Sequence, residues 1–156
     1  MNNGTFECDL TDSILKKMFE ILSYNMSCLY KTKITDKDYN TWSENVIKNK
    51  KLKNIINYDG KLNGYLQYMD FNKDKKICIC EVEISKDHQG DGKTFKKLMI
   101  EFLKEHSGKK YDNYIVYGNI SEINHHSRDV VIHLGFETSD NKIYSIELSK
   151  LRAKYL

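Results

Sequence analysis

Glu81-Val-Glu-Ile-Ser-Lys-Asp-His-Gln-Gly-Asp-Gly-Lys-Thr-Phe-Lys-Lys-Leu-Met99 is the stretch on which the fold turns. It reads as strand, tight loop and helix. Alternation predicts a strand from about Lys75 to Ile84, with Cys78, Cys80, Val82 and Ile84 on one face and Ile77, Ile79, Glu81 and Glu83 on the other. The helix opens near Lys93. Phe95, Leu98, Met99, Phe102 and His106 recur at helical spacing, so this side packs against a sheet. Between them, Ser85 to Gly92 holds Gly90 and Gly92. Glycine turns sharply and lets a ligand approach the backbone. A strand that feeds a helix through such a loop aims several amide N–H groups at one spot, and the helix terminus adds partial positive charge there. Phosphate or pyrophosphate suits that spot. The alternative for the loop alone is a structural turn.

Working outward, Leu52 to Tyr58 and Leu62 to Phe71 read as strands, with Asp59-Gly60 as a type I′ hairpin signal between them. Asn72-Lys-Asp74 turns the chain into the central strand, so three antiparallel strands precede the loop. Further upstream, a short strand falls near Thr5 to Cys8. A helix capped by Asp9 or Thr11 follows, with Leu10, Ile14, Leu15, Met18, Phe19, Leu22 and Met26 on its apolar face. Thr35 to Asp38 resembles a capping box opening a second helix, buried through Tyr39, Trp42 and Val46.

Downstream, Gly108 is a helix stop, and Tyr114 to Gly118 is a strand parallel to the central one, since a helix crosses between them. Asn124 caps a further helix with Val130, Val131 and Leu134 inside and Gly135 at its end. Phe136 to Thr138 and Lys142 to Leu148 make a last hairpin. The expected fold is therefore α/β (α+β): a mixed, mostly antiparallel sheet of about six to seven strands with helices on both faces. Two central parallel strands splay at their carboxyl ends, where α/β sheets place ligands. The glycine loop follows one of them and Gly118 to Asn124 follows the other, so both feed one site.

At 156 residues the chain is expected to form one domain, 1–156, with a sizeable core. A net charge of +3, with lysines interspersed among acids, gives no footprint for nucleic acid. No stretch approaches the ~18 apolar residues of a membrane span. Glu7, Asp9 and Asp12 near the start do not fit a secretory leader. Cys8, Cys28, Cys78 and Cys80 show no zinc spacing, and Cys78 and Cys80 read as a small buried pair. The expected compartment is the reducing cytoplasm.

Gln89-Gly-Asp-Gly-Lys-Thr94 resembles the Gln/Arg-x-x-Gly-x-Gly/Ala signature of the GNAT-type (GCN5-related) N-acetyltransferases, with Gln89, Gly92 and Thr94 at its three positions. Thr94 departs from the usual Gly or Ala. Asn124-His-His-Ser-Arg-Asp-Val-Val-Ile-His-Leu-Gly-Phe136 is similar to the family's second motif, and the two stand in the right order and separation. The resemblance implies acetyl-coenzyme A as co-substrate and no metal. It implies a small-molecule or peptide amine as acceptor and a monomer or homodimer. It places Ile84, Gln89, Gly90, Asp91, Gly92, Lys93, Thr94, Asn119 and Asn124 at the coenzyme; His88 and Asp91 contribute backbone only or face solvent.

The acids fit this picture. An acid buried on a central strand has its pKa raised toward neutrality, which suits a general base. Glu81 and Glu83 are the candidates, with a salt bridge or an exposed face as the alternative. The family's usual general-acid tyrosine corresponds to Val131, so Ser127, Tyr144 or water takes that part. Val131 also keeps open a non-catalytic coenzyme A-binding module of the same fold. A nucleotide-binding reading of Gly92-Lys93-Thr94 lacks the first glycine of a Walker A loop, which is Asp87 here.

Overall fold

The computed structural model describes residues 1–31, 33 and 35–156. Six strands form one sheet in the order β1 (Gly4–Glu7), β2 (Leu52–Tyr58), β3 (Leu62–Phe71), β4 (Lys76–Ile84), β5 (Ile115–Asn119) and β6 (Ile143–Glu147). Neighbours are antiparallel except β4 and β5, which run parallel because α3 (Lys93–Glu105) crosses between them. The segment from Phe136 to Thr138 makes only one bridge, Glu137 with Ser145.

The sheet is covered on both sides. Ile55, Leu66, Ile77 and Val116 pack with Leu98, Met99, Phe102 and Leu103 of α3 and with Leu148 and Leu151 of α5 (Leu148–Tyr155). On the other face, Ile56 and Tyr65 pack with Ile14, Met18 and Ile21 of α1 (Asp12–Tyr30). Adjacent strand residues enter different cores because side chains alternate with a period of two. Each buried leucine stabilises by roughly 1.5–3 kcal/mol relative to exposure.

Local signals explain the helix ends. The Thr11 hydroxyl accepts from the Ile14 amide and caps α1. Thr35 and Asp38 form the capping box of α2 (Asp36–Lys48). Asn124 Oδ1 accepts from the Ser127 amide at the start of α4 (His125–His133).

Several expectations need correction. Asp59-Gly60 is not a two-residue type I′ turn, which requires positive φ at both central residues. The strands join through Asp59, Gly60 and Lys61, only Gly60 has positive φ (+89°), and a bulge at Asn57/Tyr58 absorbs the extra residue. Gly108 does not stop α3, which ends at Glu105 with His106 as cap; Gly108 (φ −69°) instead starts a 3₁₀ turn. The last strand ends at Glu147, and Leu148 opens α5 instead of closing a hairpin. Arg152 of α5 bonds the carbonyls of His106 and Gly108 and pairs with Asp112 at 3.2 Å. The cysteines are no buried pair: Cys78 is half-buried and Cys80 exposed.

The largest correction lies in β4. Gln67 faces Glu81 but Tyr68 faces Ile79, so Cys80 is the extra residue of a bulge. A one-residue slip sends every following side chain to the opposite face. Ile77 and Ile79 therefore share the α3 core with Val82 and Ile84. Glu81 and Glu83 do not follow the isoleucines; they turn toward α1.

Candidate functional site

β4 and β5 pair over only three residues, Lys76–Cys78 with Ile115–Tyr117. From Ile79 to Ile84 the two strands part. The Ser85 amide donates to the Asn63 carbonyl at 2.8 Å, which fixes the hydrogen-bond phase of the β3–β4 ladder. Alternation then puts Glu83 in a bonded pair with Tyr65, and leaves the N–H and C=O groups of Val82 and Ile84 pointing away from β3, into the gap. β5 passes close where the gap opens: a Cβ on Gly118 would lie 3.0 Å from the Ile79 carbonyl oxygen.

The loop after β4 makes a short 3₁₀ turn, Lys86–His88, and then passes through Gly90 (φ +84°) and Gly92 (φ +70°). Nothing lies within 4 Å of where a side chain would begin at either glycine, so the backbone there is open to a ligand. Gln89 reaches back into the fold: its Nε2 donates to the Ile84 carbonyl (2.9 Å) and to Asn25 Oδ1 (2.7 Å). Lys93 is exposed at the start of α3.

Thr94 is 3% exposed and packs against β3. A Cβ on Gly64 would sit 3.1 Å from Thr94 Cγ2 and 2.9 Å from the Glu83 carbonyl oxygen. The close approach of helix and strand thus leaves room only for glycine at position 64, with the Thr94 methyl filling the contact. Asp91 does more than lend its backbone. Its Oδ1 accepts from the Lys93 amide at 2.9 Å, and its carboxylate lies 3.6 Å from His88 Nδ1. It therefore occupies part of the positive helix terminus that an incoming anion would use.

Glu81 and Glu83 are both half-buried on the α1 side. The Tyr65 hydroxyl donates to Glu81 Oε1 at 2.5 Å, and Asn25 Nδ2 donates to Glu83 Oε2 at 2.8 Å and to the Ile84 carbonyl at 3.1 Å. Burial pushes the Glu83 carboxyl up to about 7, with the neighbouring Glu81 charge adding to the rise and the Asn25 bond opposing it. Burial raises Glu81 as well, against the bond from Tyr65. Burial together with the two glutamate charges drives the Tyr65 hydroxyl well above its ordinary value, so it stays a donor. Gln67, the cross-strand partner of Glu81, is 3% exposed with its Nε2 unpartnered.

The other candidate residues spread around the gap. Asn119 is exposed at the end of β5, opposite Ile143. Asn124 spends its Oδ1 as a helix cap, and Ser127 is half-buried one turn into α4. Val131 packs on the α3-side core. Tyr144 stands across from Gly118, where the strands part, but is only 1% exposed and its hydroxyl has no partner.

Sequence reasoning missed Asn25, Tyr65 and Gln67. Asn25 carries a faint signal, a poor helix former among the apolar residues of α1. Tyr65 and Gln67 carry none, because their role depends on where the β4 bulge falls. Among the described residues, no three His, Cys, Asp or Glu side chains gather as metal ligands would, and no helix is long and apolar enough to cross a membrane.

No protein-family model matches the chain, and no curated protein matches it in sequence. Solved structures match it closely in shape. The PaiA N-acetyltransferase of Thermoplasma acidophilum, solved with coenzyme A, superposes with a TM-score of 0.68 at 12% identity, covering 92% of this chain and 99% of that one. Tetrahymena GCN5 gives 0.67 at 10% identity over 95% and 96%. An acetyltransferase from Streptococcus agalactiae gives 0.67 at 17% identity over 90% and 95%. The chain has the GNAT acetyltransferase fold.

Proposed function

We propose that this chain is one acyl-coenzyme A-dependent N-acyltransferase domain spanning residues 1–156, which moves acetyl from acetyl-coenzyme A to a primary amine by direct attack in a ternary complex. The observation that carries the reading is the placing of Glu83. It is a half-buried carboxyl near neutrality, one residue before the strand end whose amides face the gap between β4 and β5.

The residues fit the coenzyme. The open backbone at Gly90 and Gly92 and the amide end of α3 suit its pyrophosphate, with Lys93 beside them. Asn119 and Asn124 border the same gap from β5 and α4. When bound, the coenzyme supplies an activated acetyl thioester. The Val82 and Ile84 N–H groups are placed to donate to a carbonyl oxygen in the gap and to stabilise negative charge developing on it. Glu83 takes the proton from the acceptor ammonium, and Glu81, held by Tyr65, stands beside it. Holding both substrates in the same gap supplies much of the rate. The leaving thiolate takes its proton from water or Ser127, since Tyr144 is enclosed in the core. The acceptor is a small-molecule or peptide amine, and four free cysteines accord with a reducing cytoplasm.

Calorimetric titration with acetyl-coenzyme A, with ATP run in parallel, tests the reading. Binding of acetyl-coenzyme A alone is expected, followed by amine-dependent thiol release. Gly92→Val, which forces a branched side chain into a positive-φ position in the open loop, should abolish that binding. Unchanged affinity in this variant would sink the assignment. Val131, which leaves no hydroxyl at that position, favours the second reading, a coenzyme A-binding module without turnover. Binding with no thiol release on any amine would select it.

A further inference from the structure

Cys78 and Cys80 take no part in the proposed acetyl transfer. Their Sγ atoms lie 3.9 Å apart on the stretch of β4 that leads into Glu81, and the Cys78 thiol also meets the Tyr117 hydroxyl. The interaction with Cys80 brings the Cys78 thiol down to about 7, so much of it is thiolate at neutral pH, while the Cys80 thiol is raised. The lowered thiol suits the attacking role, and Cys80 is held up first by its bond to Cys78, a cause that ends once Cys78 is capped in a mixed disulfide. Cys80 is exposed and Cys78 half-buried, and a shallow groove of about 450 Å³, lined by Phe71, Ile115, Tyr117 and Ile143, lies beside them at Tyr117.

Residues two apart on a regular strand have Cα atoms roughly 6.6 Å apart. A disulfide spans up to about 6.8 Å, so such a bond is near its limit. Cys80 is the extra residue of the bulge, where the strand bends and a ladder bond is missing, so its backbone is free to close the distance. A bond made there is strained and readily reduced, as a reversible modification requires.

We propose that Cys78 and Cys80 form a reversible thiol–disulfide modification site, oxidised by low-molecular-weight disulfides, whose closure draws Glu81 away from Tyr65. Its effect on catalysis rests on the acetyl-transfer reading; its chemistry does not. The Cys78 thiolate attacks one sulfur of the small disulfide, forming a mixed disulfide and releasing one small thiolate. Cys80 gives its proton to solvent, and its thiolate attacks the Cys78 sulfur. The Cys78–Cys80 bond forms and the second small thiolate leaves. Two protein thiols are oxidised by two electrons, and one small disulfide is reduced to two thiols. The sulfurs must come from 3.9 Å to about 2 Å, and the next residue, Glu81, is the one tied to Tyr65.

The test uses the full chain carrying Cys8→Ser and Cys28→Ser, treated with oxidised glutathione or with coenzyme A disulfide. The peptide holding both cysteines should lose two hydrogens and resist alkylation until reduced. The carboxyl-carbon NMR signal of Glu81 should move on oxidation. Adding Cys80→Ser should stop the reaction at an adduct on Cys78 and leave that signal in place. Faster oxidation by coenzyme A disulfide would identify the coenzyme pool as the source, and equal rates would identify disulfides in general. Acetyl transfer should fall roughly tenfold or more on oxidation and recover on reduction, because Glu81 stands beside the base and small misplacements around a reacting centre cost that much. Reduced Cys80→Ser should keep its full rate. Adducts on both thiols without an internal bond, or an internal bond that leaves the Glu81 signal unmoved, would overturn the proposal. Mass and NMR need no turnover, so a protein that never transfers acetyl would count against the enzyme reading alone.

Discussion

At the scale of single residues, the chemistry turns on two acids with opposite tasks. Glu83 must lose its proton before it can accept one from the acceptor. Activity should therefore rise with pH through about 7, the value to which burial raises this carboxyl. Glu83→Gln keeps an oxygen for the Asn25 bond but removes the base. It should lower kcat/KM by roughly 10²- to 10⁴-fold and erase the rise near neutrality in the pH–rate profile. If that rise persists in the variant, Glu83 is not the base. Asp91 acts in the other direction, because its carboxylate covers the Lys93 amide at the helix end an incoming phosphate would use. Asp91→Ala should tighten coenzyme A binding about two- to fivefold, the usual strength of a charge at a helix terminus, as calorimetry would read it.

At the scale of elements, the loop works because β3, β4 and α3 meet at Gly64. A methyl group there would lie 2.9 Å from the Glu83 carbonyl oxygen, 3.0 Å from Ile84 Cδ1 and 3.1 Å from Thr94 Cγ2. The first neighbour is backbone and cannot step aside. Gly64→Ala should therefore cost about 1–3 kcal/mol, visible as a lower denaturant midpoint, and should weaken coenzyme binding by lifting α3 off the sheet. An unchanged midpoint would mean the three elements have slack. The far end of α3 is fixed by His106, 1% exposed, whose Nδ1 lies 2.7 Å from the Phe102 carbonyl oxygen and whose Nε2 lies 3.3 Å from Asp70. Tyr68, Phe102 and Tyr111 surround its ring. With both ends anchored, the amide terminus of the helix stays aimed at the gap.

At the scale of the whole molecule, the buried glutamates couple folding to pH. Glu83 titrates near 7 in the fold, against an ordinary value of 4.5. Between those values the native state holds a proton that the unfolded chain has released. Its contribution is complete below about 4.5 and is lost as pH rises through about 7. Glu81 is shifted in the same direction and adds to the loss. Stability should therefore be lower near pH 8 than near pH 5 through these groups, and Glu83→Gln should flatten much of the difference in chemical denaturation. A variant that keeps the full slope would place its origin elsewhere. The fold accepts this cost at its centre, as functional sites commonly do.

The sequence by itself determined the order of elements from β1 to α4, because local physics governs it. Apolar period marked the strands and helices; Asp9 or Thr11, the Thr35–Asp38 box and Asn124 marked helix starts; Gly90 and Gly92 marked the open turn. The parallel pairing of β4 with β5 followed from the helix between them. The eight residues of α5 stayed hidden because Leu148 and Leu151 suit a strand end as well as a short helix, and only docking beside α3 decides. The face of each glutamate was likewise tertiary. A bulge at Cys80 has no local signature, since it arises from how two strands settle their register, yet it turns Glu81 and Glu83 from the isoleucine face to Tyr65 and Asn25. Sequence named the acids. Only the fold gave them partners 16 and 58 residues away and the burial that tunes them, because burial and long-range hydrogen bonds exist only once the chain has closed on itself.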